Sequence, residues 1–318
     1  MGSTKKKRIV VVLGMHRSGT SAITRGLMTL GVDLGDRLMP AKEGNNEKGF
    51  WEDLDVNALN IEILHSIGHE WHSNPSITHS DLKGEVLQQL RLRAIELLRM
   101  KIHNKPIWGM KDPRVSRLLV FWNGIFDHLG LDASYIIVIR HPMSVARSLK
   151  QRDGFAAEKS HYLWLEHVVS SIVGSEGYTR VVVDYDLFMD QPESQLLRIA
   201  HRIGLPTELN VAELADYKEN FLDEELRHTR FQPEDLPLDP TVPKGVIRAY
   251  DLLRNLAMDE LSIDAPVVQV KLTQLAEHLQ ELSPATHYMA ELENDVSRLN
   301  QVATGREVQL AALSQAVA

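Results

Sequence analysis

The chain has 318 residues, with 35 Lys and Arg against 43 Asp and Glu, a net charge of −8, and 43% hydrophobic residues, a composition that suits a folded globular protein and excludes disorder throughout. The absence of cysteine excludes disulfide scaffolds, thiolate metal sites and cysteine nucleophiles, and suits a reducing compartment. The acidic balance argues against nucleic acid as a partner, and there is neither an apolar run of about 20 residues for a membrane span nor a signal-peptide pattern in MGSTKKKRIVVVLG, so the expected location is the cytoplasm.

Along the chain, Arg8–Leu13 (RIVVVL) is a continuous β-branched run ahead of a glycine turn and reads as a buried parallel strand. Ser21–Leu30 reads as a helix. Further strands are expected at Ile107–Met110, Tyr135–Ile139 and Val181–Val183, separated by amphipathic stretches at Leu87–Met100, Met143–Arg152 and Glu193–Ile203. Alternating strands and helices imply βαβ crossovers, hence an α/β fold with a parallel sheet flanked by helices over residues 1–262. Ligands on such sheets bind beyond the carboxyl ends of the strands.

Residues 263–318 differ in character. Val268, Leu272, Leu275, Leu279 and Leu282 follow a 4-3-4-3 spacing that Pro284 interrupts. A second series runs through Met289, Leu292, Val296, Leu299, Ala303, Arg306, Leu310, Leu313 and Val317. Such a stripe predicts a coiled-coil-like helical extension that forms a homo-oligomer or takes a partner helix, or else one amphipathic helix packed on the body. The series reaches Ala318 without a capping signal and reads as truncated from a longer chain.

Gly14-Met15-His16-Arg17-Ser18-Gly19-Thr20-Ser21 lies between a strand and a helix, where backbone N–H groups and the helix start cradle an anion. It is P-loop-like without being a Walker A loop, because Thr20 stands where the lysine for β/γ-phosphates belongs. A guanidinium, Arg17, sits inside the loop instead, suited to a transferring anionic group.

This loop resembles the 5′-phosphosulfate loop of the sulfotransferases that use 3′-phosphoadenosine 5′-phosphosulfate (PAPS). The resemblance extends to Arg140-His141-Pro142 with Ser148 eight residues after Arg140, which matches that family's 3′-phosphate motif. Arg140 ends a strand and Ser148 lies on the next helix, so both can converge on one phosphate. Val183-Asp184-Tyr185-Asp186-Leu187 is similar to the family's Tyr-Glu-Asp-Leu segment and gives Tyr185 a place near the adenine. The resemblance, which covers about residues 8–262, implies PAPS as the donor, held by Arg17, Ser18, Gly19, Thr20, Ser21, Arg140, Ser148 and Tyr185.

Sulfuryl transfer resembles phosphoryl transfer in needing alignment and neutralisation of charge. Lys111, in Lys111-Asp112-Pro113-Arg114, resembles the Lys-Asp-Pro segment of the tyrosylprotein sulfotransferases, whose lysine stabilises the sulfuryl group. Arg17 and Lys111 are therefore the expected electrostatic catalysts. Gly49-Phe50-Trp51-Glu52 resembles bacterial members of the family and makes Glu52 the expected base, with flanking aromatics to raise its pKa. Glu47, Asp53 and Asp55 remain alternatives, the two aspartates also reading as a helix start.

The bacterial members that these segments resemble often accompany sugar-modifying enzymes, which favours a carbohydrate hydroxyl as acceptor, with tyrosyl and lipid hydroxyls next. His65, His69 and His72 fall at i, i+4 and i+7, one face of a helix, but Ser73 stands where the metalloprotease pattern needs a histidine and no nearby acid completes a ligand set, so no metal is expected. Val242-Pro243-Lys244-Gly245 faintly resembles a Lys-Gly segment that closes over the donor. Two other readings remain open: an ATP- and Mg-dependent P-loop kinase, and a non-catalytic nucleotide-binding scaffold carrying a coiled coil.

Overall fold

The computed structural model describes residues 6–43, 46–222 and 230–317. Four strands, β1 (Arg8–Leu13), β2 (Ile107–Lys111), β3 (Asp132–Ile139) and β4 (Thr179–Asp184), form one parallel sheet in the order β2-β1-β3-β4. The helices in chain order are α1 (Thr20–Gly26), α2 (Leu54–Ser66), α3 (Glu85–Lys101), α4 (Leu119–His128), α5 (Pro142–Asp153) and α6 (Ala157–Gly174). They continue with α7 (Tyr185–Asp190), α8 (Pro192–Ile203), α9 (Val211–Asp216), α10 (Lys244–Ala257), α11 (Pro266–Glu281) and α12 (Ser283–Val317).

The continuity of the β1 run has a simple cause. Ile9, Val11 and Leu13 enter the core on one face of the sheet and Val10 and Val12 the core on the other, so the period of two puts every residue into apolar surroundings. The first core takes its partners from α2 to α6, α10 and α11, and the second from α1, α7 and α8. The result is the expected P-loop-like α/β sheet flanked by helices. Since β1 lies between β2 and β3, crossovers leave it in both directions and open a crevice at the carboxyl ends of β1 and β3.

All four expected strands are present, and β2 runs one residue further, to Lys111. The single helix expected over Ser21–Leu30 is instead α1 followed by a tighter turn, Leu27–Leu30, which ends at Gly31 in the left-handed region (φ +76°). Helix α6 has no counterpart among the expected elements. Leu163, Trp164, Leu165, Val168 and Ile172 are buried beside His161, Glu166 and His167, so the helix is enclosed on most sides and has no one-sided stripe to read.

The two heptad groups take different positions. Val268, Leu272 and Leu275 of α11 are buried in the main core, packed with α6 and α10. The interruption expected at Pro284 falls where one helix ends and the next begins: α11 stops at Glu281, and α12 starts at Ser283 with the proline in its first turn, where it is tolerated. Along α12, Met289 is half-buried, whereas Leu292, Val296, Leu299, Ala303, Arg306 and Leu310 are exposed. The side chains of Leu313 and Val317, and Ala318 itself, lie outside the described residues, as does Lys5 of the basic N-terminal run. Among the described residues no helix is long and apolar enough to cross a membrane.

Candidate functional site

The four strands deliver four chemically distinct segments to the same end of the sheet: the glycine loop after β1, Lys111-Asp112-Pro113 after β2, Arg140 after β3, and Asp184-Tyr185 after β4. Two glycines shape the loop. A Cβ at Gly14 (φ +145°) would come 2.6 Å from the Val138 carbonyl oxygen, and one at Gly19 (φ +83°) would come 1.9 Å from the Tyr185 ring. Arg17 is itself left-handed (φ +68°), a conformation that costs a non-glycine residue energy unless its neighbours hold it. They do: Arg140 Nη1 donates to the Arg17 carbonyl at 3.1 Å, and Arg17 Nε donates to Ser148 Oγ at 2.7 Å.

Arg140 is fixed in turn. Its carbonyl accepts from Trp164 Nε1 of α6 at 3.1 Å, and its guanidinium lies 4.8 Å over the Tyr185 ring, a cation–π contact that survives burial. His141 caps α5 and Pro142 opens it, placing Ser148 on the side of the helix that meets the loop. Within this cluster Ser18 Oγ and Arg140 Nε are buried without a hydrogen-bond partner among the described residues.

Tyr185 begins α7, which Asp184 caps by accepting from the N–H groups of Asp186 and Leu187 at 2.8 and 3.0 Å. Burial pushes the Asp184 carboxyl up to about 6.

The second half of the site joins β2 to the segment before α2. Lys111, only 4% exposed, donates to Glu52 Oε1 at 2.8 Å, the Phe50 carbonyl at 2.8 Å and Ser21 Oγ at 3.2 Å. Glu52 is equally buried, and its Oε2 accepts from Asn57 Nδ2 at 3.0 Å. That amide also donates to Asp112 Oδ2 at 3.2 Å; Asp112 in turn accepts from Asn60, and Asn60 accepts from the core indole of Trp122. Burial pushes the Glu52 carboxyl up, with Asp112 adding to the rise and the Lys111 and Arg114 cations opposing it.

Asp53 and Asp55 are occupied elsewhere: Asp53 caps α2, and both carboxylates bind Lys101, at 2.6 and 2.7 Å. Of the carboxylates weighed as base, Glu52 and Glu47 line the cleft.

That cleft measures about 450 Å³ and brings together His16, Arg17, Gly19, Thr20, Ser21, Glu52, Lys111, Arg140, Ser148 and Tyr185. Ser18 is buried just beneath it. Asn46, Gln151, Arg152, Met189 and Phe221 are also in the wall and were invisible in the sequence, because they come from four separate segments and share no spacing.

The histidine face expected on one helix is not formed. Helix α2 stops at Ser66, Gly68 turns with φ +72°, and His69 and His72 belong to the loop beyond. Among the described residues no group of three or more histidine or acidic side chains is placed to hold a metal ion. His16 packs 4.4 Å from the Trp71 ring, and burial together with the Arg114 and Arg152 cations holds its pKa well below the ordinary value. Lys244 and Gly245 start α10, where Gly245 packs against His278, so that segment does not close over the cleft.

No protein-family profile matches the chain, and no curated protein sequence matches it. Among solved structures it is similar to the sulfotransferase domain of the Synechococcus PCC 7002 olefin synthase, at 16% identity over 88% of this chain and 98% of that one, with a TM-score of 0.41. It is also similar to the sulfotransferase domain from the curacin biosynthetic pathway (12% identity, 87% and 99% covered, TM-score 0.42). A third is sulfotransferase STF1 of Mycobacterium tuberculosis H37Rv (13%, 71% and 74%, TM-score 0.38). At these identities the likeness is one of fold alone.

Proposed function

We propose that the protein is a PAPS-dependent sulfotransferase that moves a sulfuryl group to an acceptor hydroxyl, with a carbohydrate hydroxyl as the favoured acceptor. One observation carries this reading: Arg17, Arg140 and Ser148, named from two motifs far apart in sequence, meet in one hydrogen-bonded cluster at the mouth of the cleft. The buried, unpartnered Ser18 Oγ and Arg140 Nε suit an anion that supplies the missing acceptors, since orphaned buried donors are costly. Ser18, Gly19, Thr20 and Ser21 line the 5′ end of the donor in this reading, Arg140 and Ser148 bind its 3′-phosphate, and Tyr185 lies beside the adenine.

The donor supplies a sulfur–oxygen bond to phosphate that breaks as the acceptor oxygen–sulfur bond forms, its electron pair leaving on the phosphate oxygen. Arg17 and Lys111 neutralise charge that develops around that oxygen and the sulfuryl group. Glu52 accepts the hydroxyl proton, its basicity raised by burial. The carbohydrate preference rests on the resemblance of the Gly49–Glu52 and Lys111–Arg114 segments to bacterial members that often accompany sugar-modifying enzymes, and on the polar wall that Asn46 and Gln151 provide.

Titration calorimetry with adenosine 3′,5′-bisphosphate and with AMP tests the donor, the bisphosphate being expected to bind more tightly. Equal binding of the two removes Arg140 and Ser148 from the 3′-phosphate and overturns the reading. A screen of hydroxyl acceptors with labelled PAPS then identifies the acceptor class.

A further inference from the structure

The contacts of Lys111 hold a conflict. An ammonium has three N–H donors, and Lys111 has three acceptors within hydrogen-bond range: Glu52 Oε1, the Phe50 carbonyl and Ser21 Oγ. An anion entering the cleft can be bound by Lys111 only if one of these is given up. Ser21 Oγ has other partners, the Phe50 carbonyl at 3.0 Å and Asn46 Nδ2 at 3.1 Å, and so has Glu52, whose second oxygen Asn57 Nδ2 holds at 3.0 Å with Arg114 Nη1 3.8 Å away. Glu52 is the partner whose Oε1 must be free if a hydroxyl proton is to reach it.

We propose that Lys111 is shared in time: it holds Glu52 while the donor site is empty and turns to the sulfuryl end of the donor when that binds, which frees Glu52 Oε1 for the acceptor hydroxyl. Asn57 is then the positioning residue, keeping the carboxylate aimed while its cation partner moves.

Donor occupancy thereby sets the strength of the base. A carboxylate that loses a cation at 2.8 Å and gains an anion nearby becomes more basic, so donor binding draws in a proton whenever the pH lies near the value for Glu52. The charged groups facing Glu52 are Lys111 and Asp112 at the end of β2 and Arg114 in the turn beyond. On α2, Asp55, like the capping Asp53, is bound to Lys101. Before the donor binds, base and cation neutralise one another, so the cleft is not primed to deprotonate a hydroxyl that arrives first.

This inference rests on the donor assigned above, and the experiment separates the two. Binding of PAPS without acceptor is followed by calorimetry in buffers of different ionisation enthalpy between pH 5 and 8, which gives the protons taken up per donor bound. The expected result is that the parent protein takes up about half a proton more than Glu52→Gln near the midpoint of the titration. That excess disappears in Lys111→Met. Subtracting the Glu52→Gln value removes protons taken up by the nucleotide and by His16, and because glutamine has the shape of glutamate the difference reads the Glu52 carboxylate itself.

Equal uptake in the parent protein and Glu52→Gln means that Ser21 or the Phe50 carbonyl yields instead and overturns the sharing while leaving the donor assignment intact. An excess that persists in Lys111→Met assigns the effect to the donor's own charge and likewise overturns it. Failure of PAPS to bind the parent protein removes both readings together.

Discussion

Among the described residues two glutamates are buried against cations, and their settings differ. Glu166 of α6 lies 2.9 Å from Arg117, with both side chains at most 2% exposed. Arg117 also donates to the carbonyls of Pro75 and Glu70, and Ser170 donates to Glu166. Glu52 and Lys111 form a pair of similar length and burial, but one side of it opens on the cleft. The first pair uses a planar guanidinium that bonds to fixed neighbours and locks the segment after β2 to α6. The second uses an ammonium, a compact charge on a rotatable stem that can exchange partners. A buried ion pair becomes a working part when it borders a cavity and its cation can turn, since desolvation raises the stakes of both arrangements equally.

The largest expected effect breaks the open pair. Glu52→Gln keeps the shape but not the proton acceptance, so transfer should slow by about 10²–10⁴-fold with donor affinity nearly unchanged; single-turnover rates beside donor titrations check this, and parent-like rates would move the base to Glu47. Breaking the closed pair should leave rate per folded molecule unchanged and cost stability instead. Glu166→Gln leaves Arg117 buried without its counter-charge, worth about 3–5 kcal/mol, read from denaturant unfolding.

Asp184 sharpens the comparison as a buried carboxylate with no cation within ion-pair range among the described residues. Burial raises its folded pKa to about 6, above the unfolded value, so the folded state binds the extra proton and stability falls as pH rises from about 4 through 6. The loss is about 2–3 kcal/mol. Asp184→Asn keeps the cap on α7 and should remove this slope, measured as unfolding midpoints at pH 5 and 7.

On the open side of the cleft, Arg140→Ala should lose about 1.5–3 kcal/mol of preference for a nucleotide bearing a 3′-phosphate, seen by calorimetry. The smallest effect is expected from the region that touches neither pair. Removing residues 283–318 gives up the Lys159–Glu293 contact and should change donor affinity by less than about twofold, since an exposed ion pair is worth little.

The strands were legible because their signal is local: a run such as RIVVVL can be buried on both faces only in a covered parallel sheet. The glycine loop was legible for a related reason, since a loop that must turn with positive φ at Gly14 and Gly19 leaves its glycines in the sequence; Arg140 and Ser148 were named only from the resemblance to a family motif, and the structure brings them beside that loop. Helix α6 was not, because enclosure on nearly every side erases the amphipathic stripe. The histidine trio read as one helix face because spacing alone does not register that Gly68 ends the turn.

What the sequence by itself determined, then, is the layered α/β architecture and the glycine turn after β1, both of which follow from periodicity and from backbone constraints within a few residues. Tertiary structure decided which of several carboxylates meets Lys111, that Asn57 stands between Glu52 and Asp112, and that α11 joins the core while much of the α12 stripe stays exposed. Those outcomes depend on contacts between residues some fifty or more positions apart, and burial, hydrogen-bond satisfaction and charge pairing act on such neighbours only once the sheet has brought them together.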